Sequence, residues 1–99
     1  MSNIRRLILD VDVPSSAHLM DLAQTLTEVA GVKAVNITVT DTDVDVLGLL
    51  IVVDGVGIDY KALEESITSM GGAIRSIDQV IAGEYVLDLD AKKLKDVGD

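Results

Sequence analysis

The sequence contains no cysteine, and this absence narrows the possible chemistry. Neither a disulfide framework nor a zinc site with thiolate ligands can form, and a Cys–His catalytic pair is excluded. Phenylalanine and tryptophan are also absent, which leaves Tyr60 and Tyr85 as the aromatic residues. Because few bases could stack on such a chain and its net charge of −9 repels phosphates, we expect no nucleic-acid partner.

Long apolar runs are missing as well. In the first residues, MSNIRRLILDVDV, the apolar positions are interrupted by Asp10 and Asp12, which is not the pattern of a signal peptide. No run approaches the length of a membrane-spanning helix. We therefore expect a cytoplasmic location and no membrane partner.

The apolar residues that are present, 48% of the chain, are enough for one modest core. We predict a single domain over residues 1–99, with a core at about residues 4–83 and a C-terminal extension over residues 84–99. The positive mean hydropathy of so acidic a chain indicates that part of its surface is hidden in an assembly.

Strands are predicted wherever apolar and polar residues alternate. This pattern covers residues 6–13 and 32–40. A third strand is predicted over residues 44–54, and within it residues 46–53 are apolar on both faces, which is typical of a strand buried on both sides. Residues 73–82 form a fourth strand, with a bulge or irregularity because Ile74, Ile77 and Val80 do not alternate. Residues 85–89 alternate again, which predicts a short fifth segment before a helical or frayed tail.

Two helices are predicted between these strands. The first carries Leu22 and Leu26 inward, starts after an N-cap at Ser15 or Ser16, and stops at Gly31. The second starts after Asp59 and ends at residues 71–72. The order strand–helix–strand–strand–helix–strand predicts a ferredoxin-like α+β fold. It has a four-stranded antiparallel sheet, two helices on one face and a short C-terminal strand or tail.

Three alternate carboxylates, Asp41, Asp43 and Asp45, open like a calcium-binding loop. The match then fails, because valines at positions 46 and 52 stand where that loop has glycine and glutamate. One hypothesis is a weakly bound calcium or magnesium ion on these aspartates. The other is a solvated hairpin turn at residues 41–43, with no cofactor at all.

Nothing in the sequence forms a recognisable catalytic set. His18 is the single histidine, near the start of the first helix on a side that we expect to be exposed. The segment GVGID at residues 55–59 lacks the third glycine of a dinucleotide-binding fingerprint. We therefore predict that the protein is not an enzyme.

A patch of apolar side chains is predicted on the face of the sheet that carries no helix. Because alternate residues of a strand point to opposite faces, Ile8, Val46, Leu50 and Val52 should share that face. We interpret them as an interface between copies in a homo-oligomer. The alternative is that residues 85–94 fold back over the patch within one subunit.

Two known kinds of domain resemble parts of this pattern. LTEVAGVKAV at residues 26–35 is similar to heavy-metal-associated domains, but the loop at residues 13–17 lacks their Cys-x-x-Cys pair. Small-molecule regulatory domains of the ACT type share the strand order and bind ligands near the first strand–helix loop, which here has Pro14 and no glycine. An ACT-like regulatory module with an unknown small-molecule ligand therefore remains an alternative function, and a weak divalent-cation binder is another.

Three segments resemble one family closely. RRLILDVDVP (5–14), LAQTLTEVAGVKAVNIT (22–38) and GGAIRSIDQVIAG (71–83) are similar to the archaeal domain of unknown function family 211, and SIDQVIAG is the most specific part. The resemblance covers about residues 4–86. It implies a ferredoxin-like fold, an archaeal source and a ring-like homo-oligomer, but no activity. We predict a non-catalytic homo-oligomeric protein with a binding or structural role.

Overall fold

The computed structural model describes residues 3–89 of the chain. Its elements follow the order that the sequence predicts. They are β1 (Ile4–Pro14), α1 (Leu19–Thr27), β2 (Val32–Thr42), β3 (Val46–Gly55), α2 (Tyr60–Ser69) and β4 (Ala73–Ala82).

The four strands form one antiparallel sheet in the order β2-β3-β1-β4, with β1 and β3 in the centre. The predicted ferredoxin-like α+β fold is therefore confirmed. Along β1 every second residue from Leu7 to Val13 is buried, and the residues between them are only half-buried. This alternation arises because α1 and α2 cover one face of the sheet and leave the other without a helix.

The core lies between the helices and the sheet. In β3, Leu49, Ile51 and Val53 are fully buried on the helix side. The helices contribute Leu22 and Leu26 from α1 and a matching pair from α2. Fourteen buried residues form this core: Leu7, Leu9, Val11, Val13, Leu22, Leu26, Val29, Val32, Leu49, Ile51, Val53, Ile58, Leu63 and Ile67.

The start of α1 differs from the prediction. Its N-cap is His18, whereas Ser15 and Ser16 lie in a turn in which the Ala17 amide donates to the Pro14 carbonyl. Because both serines lie within this turn, two or more residues before α1 begins at Leu19, neither of them is the N-cap of α1. The prediction for α2 is confirmed, because the carboxylate of its N-cap, Asp59, accepts a hydrogen bond from a backbone amide of the first turn.

The predicted hairpin turn is shifted. Asp41 and Thr42 are the last residues of β2, and the turn to β3 comes after them. The backbone amide of Asp43 donates to the carbonyl of Val46, and this hydrogen bond closes the turn. Strand pairing therefore continues through polar residues that sequence reasoning assigned to the turn.

Gly31 permits a close contact between the two helix–strand connections. It has φ +86°, and its carbonyl accepts a hydrogen bond of 2.8 Å from the Val56 amide. A Cβ atom at this position would lie 2.2 Å from the carbonyl oxygen of Gly57. Only glycine fits here, since both the left-handed backbone and the contact with other backbone atoms exclude a side chain.

The predicted irregularity of β4 is confirmed. Its register with β1 shifts between Ile8 and Leu9 and again between Asp10 and Val11. The predicted fifth strand segment is not observed, because residues 85–89 have irregular backbone. The part of the predicted tail over residues 90–99 lies outside the described residues.

Within residues 3–89, no helix is long and apolar enough to cross a membrane.

Candidate functional site

The face of the sheet without helices, called here the helix-free face, has an apolar centre. Ile8 of β1 lies directly opposite Val52 of β3, and Leu50 is the next residue of β3 on this face. All three side chains are half-buried although no helix covers them. Directly opposed residues share one face, so these predicted interface residues do form one patch.

The fourth predicted interface residue, Val46, lies at the end of this patch. It is the first residue of β3, lies opposite Pro14 and is 39% exposed. Gly48 separates it from Leu50 on the same face, so the patch narrows between them. Val46 therefore lies on the helix-free face but outside the apolar centre that the other three residues form.

Gln79 adds an unsatisfied polar atom beside the apolar centre. It lies opposite Ile8 on the β4 side, so its side chain shares the helix-free face. Its Oε1 atom is buried and accepts no hydrogen bond from any residue of the described chain. Sequence reasoning missed this residue, because a glutamine in a strand gives no sign of whether its amide has a partner.

One end of the helix-free face carries an ion-pair network centred on Arg6. Its guanidinium donates to both carboxylate oxygens of Asp54, with Nε–Oδ1 2.6 Å and Nη2–Oδ2 3.1 Å, and its Nη1 lies 2.9 Å from Asp88 Oδ1. The hydrogen bond from Arg6 lowers the pKa of the Asp54 carboxyl and raises the pKa of Arg6 itself. The network thereby joins β1, β3 and the residues that follow β4.

The neighbouring Arg5 holds the chain where it leaves β4. Its Nε donates to the Gly83 carbonyl at 3.0 Å, and its Nη2 donates to the Glu84 carbonyl. Together the two arginines fix residues 83–88 against the start of β1. The large apolar residues at positions 85–89 nevertheless remain exposed: Tyr85, Val86, Leu87 and Leu89.

The residues after β4 reach one end of the helix-free face. Asp88 pairs with Arg6 there, and whether residues 85–94 cover the apolar patch stays a prediction. The segment does not bury its own apolar side chains there, since Tyr85 is 67% and Leu87 65% exposed. Residues 90–94, which complete that alternative, lie outside the described residues.

A second ion pair lies on the same face toward the other end of β1. Arg75 Nη1 donates to Asp12 Oδ2 at 2.9 Å, which raises the pKa of Arg75. The neighbouring Asp10 lies opposite Leu50. The carboxylates of Asp10 and Asp12 therefore have an arginine beside them, and Asp12 is held in an ion pair with it.

The three aspartates of the β2–β3 hairpin lie on its exposed surface. Asp41, Asp43 and Asp45 are all exposed, and the Asp43 carboxylate accepts a hydrogen bond from the Val44 amide at 2.7 Å. Within residues 3–89 no group of three histidine, cysteine, aspartate or glutamate side chains is close enough to hold a metal ion. The calcium or magnesium site stays a prediction.

The remaining candidates are spread over the molecule. His18 is exposed and its side chain does not cap α1. A cavity of about 450 Å³ lies at the start of β1, a strand length away from the Pro14 loop where an ACT-like ligand would bind. Burial and the nearby Glu64 raise the pKa of Tyr60 in this cavity. Its lining residues are Ile4, Ala30, Gly57, Ile58, Asp59 and Tyr60.

Residues 5–96 match the family model described as uncharacterized ArCR, domain of unknown function family 211. The chain belongs to this family. It is also similar to an uncharacterized protein of Methanocaldococcus jannaschii, with 35% identity over 88 residues that cover 89% of this chain and 91% of the relative. The family predicted from three sequence segments is confirmed. Neither description names an activity, so the family adds no site residue to those described above.

Proposed function

We propose that this protein is a non-catalytic, self-associating protein of the cytoplasm, with a binding or structural role. In this proposal the helix-free face packs against another copy of the chain. The observation that carries it is the apolar centre formed by Ile8, Leu50 and Val52, which lies on a sheet face without helices.

The energetic argument rests on the size of these side chains. Full burial of each is worth roughly 1.5–3 kcal/mol, before the cost of association is subtracted. An apolar cluster at the centre of a face is also less common on a monomer than scattered apolar residues are. Tyr85, Leu87 and Leu89, on the segment that Asp88 joins to Arg6, are also exposed large apolar residues.

A non-catalytic role is supported by the dispersed positions of His18, the hairpin aspartates and Tyr60, which lie on different elements.

The test is sedimentation of the unmodified protein at micromolar concentration, together with two lysine variants. Leu50→Lys places a charge in the apolar centre, where Asp10 lies directly opposite and keeps the added charge compatible with the folded subunit. Met20→Lys is the matched control, because Met20 is 83% exposed on α1.

We expect the unmodified protein and Met20→Lys to sediment as the same oligomer, and Leu50→Lys to dissociate to smaller species with unchanged circular dichroism. A monomeric unmodified protein contradicts self-association. An oligomer that Leu50→Lys leaves intact contradicts the assignment of the helix-free face.

A further inference from the structure

The cavity at the start of β1 is walled by three segments that are distant from one another in the chain. They are the first residue of β1 (Ile4), the α1–β2 connection (Ala30), and residues 57–60, which lead into α2. The volume of about 450 Å³ lies within the range of roughly 300–1,000 Å³ that is usual for small-molecule sites. The cavity is therefore large enough for a small ligand.

Backbone hydrogen bonds hold the three walls together. The Ile58 amide donates to the Ile4 carbonyl at 3.1 Å, and the Asp59 amide donates to the Ala30 carbonyl at 3.0 Å. The side chain of Ile58 is fully buried and belongs to the core. Walls that are tied to each other and to the core keep their shape without a ligand, so binding requires little ordering of the backbone.

The lining combines apolar groups with an aromatic residue and a carboxylate. Ile4 and Ala30 contribute aliphatic side chains, and Tyr60 is a half-buried aromatic residue. Asp59 is exposed, so its carboxylate is accessible to a ligand from solvent. Both a carboxylate and the face of an aromatic ring attract a positive charge. This combination fits a small organic cation that has an aliphatic part.

The charge around the cavity favours a cation over an anion. The first turn of a helix attracts anions, but in α2 the Asp59 carboxylate already accepts a hydrogen bond from the Ala62 amide at 3.1 Å. Glu64 lies close enough to Tyr60 to contribute to its raised pKa, so a second carboxylate lies near this end of α2. Lys61 is exposed and does not line the cavity. The net charge of −9 also attracts cations to the protein as a whole.

We propose that this cavity binds a small aliphatic amine in its protonated form. The ammonium group lies at Asp59 and Tyr60, and the aliphatic part packs against Ile4 and Ala30. Because α2 lies on the other side of the sheet from the helix-free face, the proposal does not depend on self-association. One exposed carboxylate and one aromatic ring give modest attraction, so we expect a dissociation constant in the millimolar range.

Titration of the full chain with n-butylamine at pH 7, followed through amide chemical shifts in NMR spectra, tests the site. This amine is protonated at neutral pH, as a lysine side chain is. We expect saturable shifts at residues 4, 30 and 57–60. Two further ligands are controls: n-butanol has a similar chain without a charge, and butyrate carries the opposite charge. Both should shift these amides far less.

Asp59→Asn separates the charge from the fold. Asparagine caps a helix about as well as aspartate, so this variant loses the carboxylate and keeps the N-cap of α2. We expect the dissociation constant for butylammonium to rise about fivefold. Asp21→Asn is the matched control, since Asp21 is an exposed aspartate in the first turn of α1 and does not line the cavity. It should leave the dissociation constant within about twofold of the unmodified value, because solvent and salt screen a distant charge.

A pair of variants at Tyr60 tests the ring. Tyr60→Phe keeps an aromatic ring and should bind butylammonium as the unmodified protein does. Tyr60→Leu keeps an apolar side chain without the ring, and we expect the dissociation constant to rise about threefold. Equal binding by the two variants overturns the role assigned to the ring. Circular dichroism confirms that both variants are folded.

The remaining outcomes separate this proposal from the proposed function. Saturable shifts at residues 4, 30 and 57–60 that Asp59→Asn weakens and Asp21→Asn does not weaken support the amine site. Equal shifts with butyrate or n-butanol overturn the assignment of a cation. The absence of saturable shifts at these residues, or equal weakening by Asp21→Asn, overturns the site. None of these results alters the sedimentation test of self-association.

Discussion

Gly31 and Gly71 provide a sharp test of the close contact that joins the two halves of the fold. Both have nearly the same left-handed backbone, with φ +86° and +85°. Their surroundings differ, because a Cβ atom at Gly31 would meet backbone atoms of Gly57 and Ile58 within 2.8 Å. At Gly71 it would meet the ring of the exposed Pro14, with Cγ at 3.2 Å. Alanine at the two positions therefore carries the same conformational cost and a different steric one.

The expected losses in the free energy of unfolding follow from the backbone conformation and from these distances. A left-handed alanine costs about 1–2 kcal/mol, and this cost applies to both variants. In Gly71→Ala the Pro14 ring needs to move by only a few tenths of an ångström, so the total should stay near about 2 kcal/mol. In Gly31→Ala the oxygen of Gly57, 2.2 Å from the new Cβ, belongs to a rigid backbone segment. Relieving this overlap also strains the Val56–Gly31 hydrogen bond, so we expect a total loss of at least about 4 kcal/mol.

Urea denaturation followed by circular dichroism measures the difference. All variants are compared at one protein concentration, because self-association adds stability that depends on concentration. Gly83→Ala is the control for conformational cost alone, since Gly83 has φ +124° and a Cβ atom there would meet nothing within 4 Å beyond its chain neighbours. A free energy of unfolding for Gly31→Ala within about 0.5 kcal/mol of that for Gly71→Ala would refute the steric argument.

Three further predictions concern charge and chemistry. The hydrogen bond from Arg6 lowers the pKa of the Asp54 carboxyl in the folded state. The ion pair therefore stabilises the folded protein fully at a pH above the unfolded pKa of about 4. This contribution to the free energy of unfolding is lost as the pH falls through the lower pKa of the folded state. Asp54→Asn should therefore reduce the free energy of unfolding by about 0.5–1 kcal/mol at pH 7, and this difference should disappear once the pH falls below the folded pKa of Asp54. Equal stabilities at pH 7 would contradict the prediction. Calorimetric titration should detect weak calcium binding that Asp41→Asn or Asp43→Asn reduces, whereas tight zinc binding would contradict an oxygen-ligand site that includes Asp45. A screen for hydrolase, transferase and redox activities should find no turnover that His18→Ala abolishes, and robust activity lost in that variant would show that the protein is an enzyme.

The fold could be predicted because its signals are local. Alternation along residues 6–13 and the change from helical to strand spacing around Gly31 depend only on neighbouring residues, and β4 was bounded correctly by glycines on both sides. The N-cap at His18 was missed because the serines at 15 and 16 satisfy the same local rule, and only the turn closed by Ala17 excludes them. Residues 85–89 alternate like a strand, but strand formation requires a neighbour with which to pair, and the sequence does not supply that information.

The sequence by itself determined the fold class, the family and the sidedness of the sheet, because periodicity and turn residues act within a few positions of the chain. Only the tertiary structure decided which distant charges meet. Arg6 is 48 residues from Asp54 and 82 from Asp88, and a separation of this kind leaves no trace in the local pattern. The cavity at the start of β1 is likewise a product of the tertiary structure, since its walls come from three separate segments of the chain.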